Sequence, residues 1–297
     1  MRDRMLLWLL LGGGAFVLLV IAALAVVLTF GDFGGGNLAF GDRVQVVDIE
    51  GELVDSRPVL DQLKKFEDSP SVRAILLNID SPGGGVAVSQ EIYSQIRRLR
   101  EHDHKIVVAY LSSVGASGAY YAACGADKIV ANPGSIVGSI GVIAEWINYG
   151  DLLKWAKLEN TVIKTGEFKD SGSASRPLTE RERTYFQALI DDMHTQFIQA
   201  VADGRKLDVQ QVRSMADGRV FSGRDARERK LVDATGDFQD AVDLTAKLAG
   251  LSGKPALIRS SRQKTTLMDV LTGDLSRLIP FNGTALRSQI RFQYLWK

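Results

Sequence analysis

Two apolar segments that run directly into tight turns of small residues constrain the fold more than any other feature of this chain. Residues 74–80 (AILLNID) form an uninterrupted apolar stretch, the pattern of a strand covered on both faces. They lead into the glycine turn Ser81-Pro82-Gly83-Gly84-Gly85. Residues 105–110 (KIVVAY) make a second such strand, which passes through small residues to Ser117 and then into a short apolar helix ending near Cys124. Between the two, Val88, Ile92, Ile96 and Leu99 recur at helical spacing. Upstream, VQVVDIEG reads as a strand, and Ser56 with Pro58 starts a helix carrying Leu60, Leu63 and Phe66. Lys128–Ala131 is a further short strand. This alternation predicts an α/β fold with largely parallel strand pairing.

Downstream, residues 161–164 (TVIK) read as a strand and residues 166–177 as a polar loop. Thr179 and Glu182 form a capping box for a long helix with the apolar stripe Phe186, Ile190, Met193, Phe197 and Val201. Residues 219–221 and 230–233 flank another short helix, and Phe238–Leu248 closes the series. Residues 260–297 contain an amphipathic stretch, 267–279, and an aromatic, basic end whose role the pattern leaves open.

Bulk properties narrow the function. Lys and Arg total 36 against 35 Asp and Glu, so the net charge is +1, and no long basic run suggests nucleic acid as a partner. The single cysteine, Cys124, excludes an intrachain disulfide and reads as a small core residue. His102, His104 and His194 are not in metal-ligand spacing, so no metal is expected. Residues 5–30 carry no charge. As a helix they would reach about 39 Å, more than the ~30 Å hydrocarbon core of a bilayer. Arg2 and Arg4 before them and Asp32 and Asp42 after them predict a cytoplasmic N-terminus and an extracytoplasmic remainder. The expected layout is a cytoplasmic stub with a transmembrane anchor (1–30), a flexible linker (31–42), a folded domain (43–255) and a tail (256–297). A cleavable signal peptide is the competing reading of the apolar run, whose length favours the uncleaved anchor.

The turn at Ser117 places one hydroxyl at a helix start, where free backbone N–H groups can stabilise an oxyanion. With the glycine turn at 81–85, this suggests a nucleophile and an oxyanion hole acting on acyl groups. A serine hydroxyl is a weak nucleophile and needs a base. Each histidine is a candidate, as is a lysine kept neutral by burial, Lys164 or Lys169. The residues alone do not choose between them. Asp170 would favour the charged form of Lys169 if the two were paired.

The segments ASGAYYAACGADKIVANPGSIVGSIGV and KTGEFKDSGSASRPLT resemble the signal peptide peptidase A (protease IV) family in its short, single-domain bacterial form. That resemblance spans residues 43–251. It implies a Clp protease/crotonase-like fold of repeated ββα units and a Ser–Lys dyad with no cofactor. It assigns Ser117 as nucleophile, Lys169 as base and Ser139 as the hydroxyl that orients the lysine. Gly83 and Gly118 are the implied oxyanion donors. One departure stands out: Gly118 is followed by Ala119, where the family commonly has a second glycine. Ile140, Gly141 and Val142 are taken as one wall of a peptide groove, continued as a strand to Ile143. The implied substrates are remnant signal peptides and other apolar peptides at the inner or plasma membrane. The implied assembly is a homo-oligomeric ring or dome. The alternatives are a peptidase for one specific membrane protein, a crotonase-type acyl-CoA enzyme and an inactive scaffold.

Overall fold

The computed structural model describes residues 43–67, 69, 72–251, 253, 255–259 and 291–296. The expected transmembrane anchor and linker, and the amphipathic stretch 267–279, lie outside the described residues. Among the described residues no helix is long and apolar enough to cross a membrane.

The chain opens with β1 (Arg43–Glu50), α1 (Arg57–Glu67), β2 (Val72–Ser81), β3 (Gly83–Gly85), α2 (Val86–Glu101) and β4 (Ile106–Ala116). It continues through α3 (Gly118–Ala123), β5 (Lys128–Ala131), β6 (Ile136–Gly138), β7 (Ile143–Glu145) and α4 (Gly150–Trp155). A single 3₁₀ turn, Glu167–Asp170, precedes the long α5 (Glu180–Arg205). Then come α6 (Val209–Met215), β8 (Val220–Ser222), α7 (Gly223–Glu228), β9 (Ala234–Thr235), α8 (Phe238–Leu248), β10 (Ala256–Arg259) and β11 (Arg291–Leu295).

The main sheet has the order β10-β1-β2-β4-β5-β9 and every pairing along that path is parallel. Its central strands explain the apolar run at 74–80. Ile75, Leu77 and Ile79 face a large core with α1, α2, α3 and α5, while Ala74 and Leu76 face a second one with α8. A strand covered on both sides has no polar face to show. The predicted α/β, largely parallel fold is therefore what these residues adopt.

β4 forks, and the fork creates the site. Its first half pairs with β5 through Val108–Leu111, and its second half, Val114–Ala116, pairs with β6. Ser135, which leads into β6, donates its hydroxyl to the Leu111 carbonyl at 2.8 Å and pins the branch. β6 then pairs antiparallel with β8. A second sheet, β3-β11-β7, is antiparallel throughout and stands beside the fork.

Two local expectations change. Residues 161–164 are not a strand: all four are exposed and none enters a ladder. The β-branched residues there favour extended backbone, but no sheet edge is offered to them. Nor is there one strand over 140–143. Ser139–Val142 link β6 to β7, and Ile140 is fully buried in the core.

Leu77 is fully buried at the centre of the sheet. Leu77→Ala should lower unfolding stability by about 2–5 kcal/mol, read from the shift of a denaturant transition.

Candidate active site

Ser117 sits where β4 ends and α3 begins, with φ 53° and ψ −122°. Positive φ is uncommon for a residue with a side chain, and here it turns the chain sharply between strand and helix. The turn is held from both sides. The Ser117 N–H donates to the Gly138 carbonyl at 2.7 Å, and the Ser117 carbonyl accepts from Tyr121 N–H at 2.8 Å. The helix behind it is wholly buried, and Tyr120 Oη donates to the Leu231 carbonyl at 2.7 Å. Ser139, just past the Gly138 that pins Ser117, also has positive φ, at 50°.

Ser117 and Ser139 share one cavity of about 540 Å³. Gly141, Val142 and Ile143 form one side of it. Gln187, Ile190, Asp191 and His194 on α5 contribute a second, and Leu295 and Trp296 at the end of β11 a third. Of the three residues expected as a groove wall, Gly141 and Val142 are there. Ile140 is not, because its side chain is spent on core packing.

The glycine turn lies against the serine turn so closely that side chains are excluded. A Cβ at Gly83 (φ 97°) would stand 2.6 Å from the Gly118 nitrogen and 2.1 Å from the Tyr294 carbonyl oxygen. One at Gly118 would stand 2.2 Å from Ser89 Oγ. As the first residue of α3, Gly118 has an N–H with no intrahelical acceptor. The Gly83 N–H donates to Ser81 Oγ at 3.2 Å.

β11 supplies what sequence reasoning missed. Gln293, Tyr294 and Leu295 pair with Gly85, Gly84 and Gly83, and Arg291, Phe292 and Gln293 pair with β7. Tyr294 is fully buried, stacks on Tyr121 with ring centroids 5.3 Å apart and donates its hydroxyl to the Met193 carbonyl at 2.8 Å. The Trp296 N–H donates to the Pro82 carbonyl at 2.9 Å. The alternation of Phe292 and Tyr294 with Arg291 and Gln293 is the strand signal that marks this segment. Likewise Gln187, Asp191 and His194 follow one another at helical spacing beside the apolar stripe of α5, which is how they reach one cavity.

The lysines lie elsewhere. No lysine lines the Ser117 cavity among the described residues. Lys169 is exposed on the 3₁₀ turn, and its ammonium has no hydrogen bond or ion pair with a described residue. Asp170 does not pair with it. Asp170 binds Lys164 and, at 3.0 Å, Arg176. Arg176 also binds the buried Glu182 at 2.5 Å, and Glu182 closes the capping box with Thr179. Its bonds to Arg176 and then to Lys164 hold the Asp170 carboxyl down at about 2. The bond from Arg176 holds Glu182 well below the carboxylate range against the opposing effect of burial. This network fixes the loop that carries Lys169 to the start of α5.

The remaining candidates separate cleanly. Cys124 is buried, and desolvation pushes its thiol up to about 12, so it is a core residue. His102 is exposed and bonds Asp103, and His104 is exposed as well. His194 alone of the three enters the cavity, and its Nε2 is buried without a hydrogen-bond partner among the described residues. No group of residues able to hold a metal occurs among the described residues.

The chain is similar in sequence to known proteins. The sequence profile of Peptidase family S49 matches residues 100–252. Two proteins, each named "Putative protease", from Synechocystis sp. and Methanocaldococcus jannaschii, are 41% and 38% identical over 80% and 67% of this chain. A protein of Enterococcus faecium named "Putative signal peptide peptidase SppA" is 37% identical over 66% of it. The matched segment spans 85% of the Synechocystis protein but only 63% and 57% of the other two.

Depressed carboxyl pKa values carry a sign. The stability they confer is present above the unfolded carboxylate range near pH 4 and is lost as pH falls through it towards 2. Arg176→Ala should therefore lower stability at all pH values above about 4, with the difference from wild type shrinking as pH falls towards 2, and should move the acid-unfolding midpoint of the α5 region to higher pH. Circular dichroism across an acid titration measures this.

Proposed function

This chain belongs to peptidase family S49, a family of serine peptidases, and we propose that it is a membrane-anchored Ser–Lys endopeptidase. Its proposed substrates are remnant signal peptides and other apolar peptides. The observation that carries the peptide specificity is β11. An extended segment lies between the glycine edge β3 and the strand β7, pairs with both through its backbone, and ends beside Ser117. β11 fills the place between those two edges, and β7 ends the sheet where Ile143 lines the Ser117 cavity, so a substrate strand can add there by the same main-chain pairing.

In this reading Ser117 Oγ attacks the scissile carbonyl and its proton passes to a neutral lysine amine. The Gly118 N–H receives the oxyanion, and the Gly83 N–H joins it by exchanging Ser81 Oγ for the substrate oxygen. The lysine returns that proton to the leaving amine as the peptide C–N bond breaks, and a water deprotonated by the same lysine then attacks the ester, freeing the carboxylic product and Ser117. Ser139 orients the amine, and Gly141 and Val142 flank the peptide. The alkyl stem and backbone of an apolar peptide suit walls made by Ile143, Ile190, Leu295 and Trp296.

Lys169 fills the role of base only if it comes from a second copy of the chain, since no lysine of the same chain lines the cavity among the described residues. The stretch of chain that precedes Lys169 supports such an assembly. Ile147, Leu152, Trp155, Leu158 and Ile163 are all exposed, Trp155 at 81% and Ile163 at 98%. Exposed apolar groups in one stretch of chain are the mark of a contact surface. A homo-oligomer in which each copy lends Lys169 to its neighbour meets both observations. The second reading is a histidine base, favoured by one observation, the presence of His194 in the cavity.

Ser117→Ala and Lys169→Ala should each cut turnover of an apolar peptide by at least about 10³-fold while leaving the fold intact. Mixing and reassembling the two inactive variants should restore about a quarter of wild-type activity, because heterologous contacts pair an intact serine with an intact neighbouring lysine at that frequency. No restoration from properly mixed oligomers would place both groups of the site in one chain.

A further inference from the structure

At the edge of the main sheet remote from Ser117, four cationic side chains converge on a cavity of about 470 Å³. Lys128 opens β5, Arg205 ends α5, and Arg227 and Lys230 lie in and just after α7. β1, β2, β4 and β5 run parallel, so Lys128 stands at the amino-terminal end of the sheet with Arg43. Ser117 follows the carboxyl end of β4 and lies at the other.

Among the described residues one carboxylate, Asp233, lines this cavity, and it is already shared. It binds Lys128 at 3.0 Å and Arg205 at 2.7 Å, and accepts the Ile129 N–H at 2.8 Å. The Arg205 side chain is only 6% exposed, and its Nε also donates to the Lys230 carbonyl at 3.3 Å. The exposed Arg227 and Lys230 side chains have no ion-pair partner among the described residues. Four cations against one carboxylate leave three positive charges in excess. The carboxyl ends of α5 and α7 offset about half a charge each and do not close the gap. A guanidinium held in place by two acceptors, two cations without an ion-pair partner among the described residues, and an apolar wall of Val232, Ala234 and Leu244 together have the make-up of an anion receptor.

We propose that this cavity binds a phosphate group carried by a phosphoester ligand. Arginine forks and lysine ammonium groups match the charge and the acceptor oxygens of phosphate. The apolar wall would face the organic part of the ester. Two sources have that chemistry, an anionic lipid headgroup and a soluble phosphoester. The two share the phosphate chemistry that the cavity matches, and the test below separates them. The site does not depend on the peptidase reading.

The test uses the full chain in nanodiscs of phosphatidylcholine and measures binding of radiolabelled inorganic phosphate by equilibrium dialysis. At about 0.15 M salt, charge on a bilayer surface is screened beyond about 8 Å. The wild type should bind, and the double variant Arg227→Ala/Lys230→Ala should bind at least about tenfold more weakly, the loss expected for two charge-assisted contacts. Arg224→Ala, an exposed arginine of α7 outside the cavity, should bind as the wild type does. Loss of phosphate binding when the discs contain phosphatidylglycerol assigns the site to a lipid headgroup, and its retention assigns it to a soluble phosphoester. Absent binding by the wild type, unchanged binding by the double variant, or an equal loss in Arg224→Ala would overturn the proposal.

Discussion

The backbone of Ser117 is the constraint on which the rest of the site depends. A residue with a side chain holds a left-handed φ only when its surroundings leave it no alternative. Here the Gly138 carbonyl holds the serine N–H, and the buried helix α3 fixes the chain that follows. Glycine turns fill the space in front, where Gly83 and Gly118 approach too closely for any side chain. The fork of β4 between β5 and β6 makes this geometry available, because the strand that ends in Ser117 must leave one partner and take another just before it turns.

The same scaffold builds a site that is complete in one respect and incomplete in another. Ser117, Ser139, Gly141 and Val142 line one cavity within the chain, with the end of β11 beside them. The lysine that the family resemblance names as base is exposed, on a loop clamped by Asp170, Arg176 and Glu182. That clamp costs side-chain entropy and buries a carboxylate, so it is a poor investment for a mere surface loop. It fixes the loop that carries Lys169 to the start of α5.

Much of this was legible in the sequence because the signals are local. Lys128–Ala131 and Phe238–Leu248 have the bounds their patterns predict, and the Thr179–Glu182 capping box forms as its spacing requires. Ser117, Ser139, Gly141 and Val142 come together because each belongs to a turn whose residues announce it. What the sequence concealed depends on partners far away in the chain. Residues 161–164 have strand-like composition but no edge to join. Ile140 reads as an exposed groove residue, but the fold buries it in the large core. β11 lies across the site only because β3 and β7, both distant in sequence, leave a gap of one strand's width.

The central claim is that Ser117 is a nucleophile activated by lysine. Covalent capture tests it most directly: the assembled full chain is treated with an apolar peptide acyl-trapping probe, and intact mass and peptide mapping locate the adduct. The expected result is one adduct per chain, on Ser117, that disappears in Lys169→Ala and survives in His194→Ala. An adduct that persists in Lys169→Ala and is lost in His194→Ala, or one that maps to a residue other than Ser117, would contradict it.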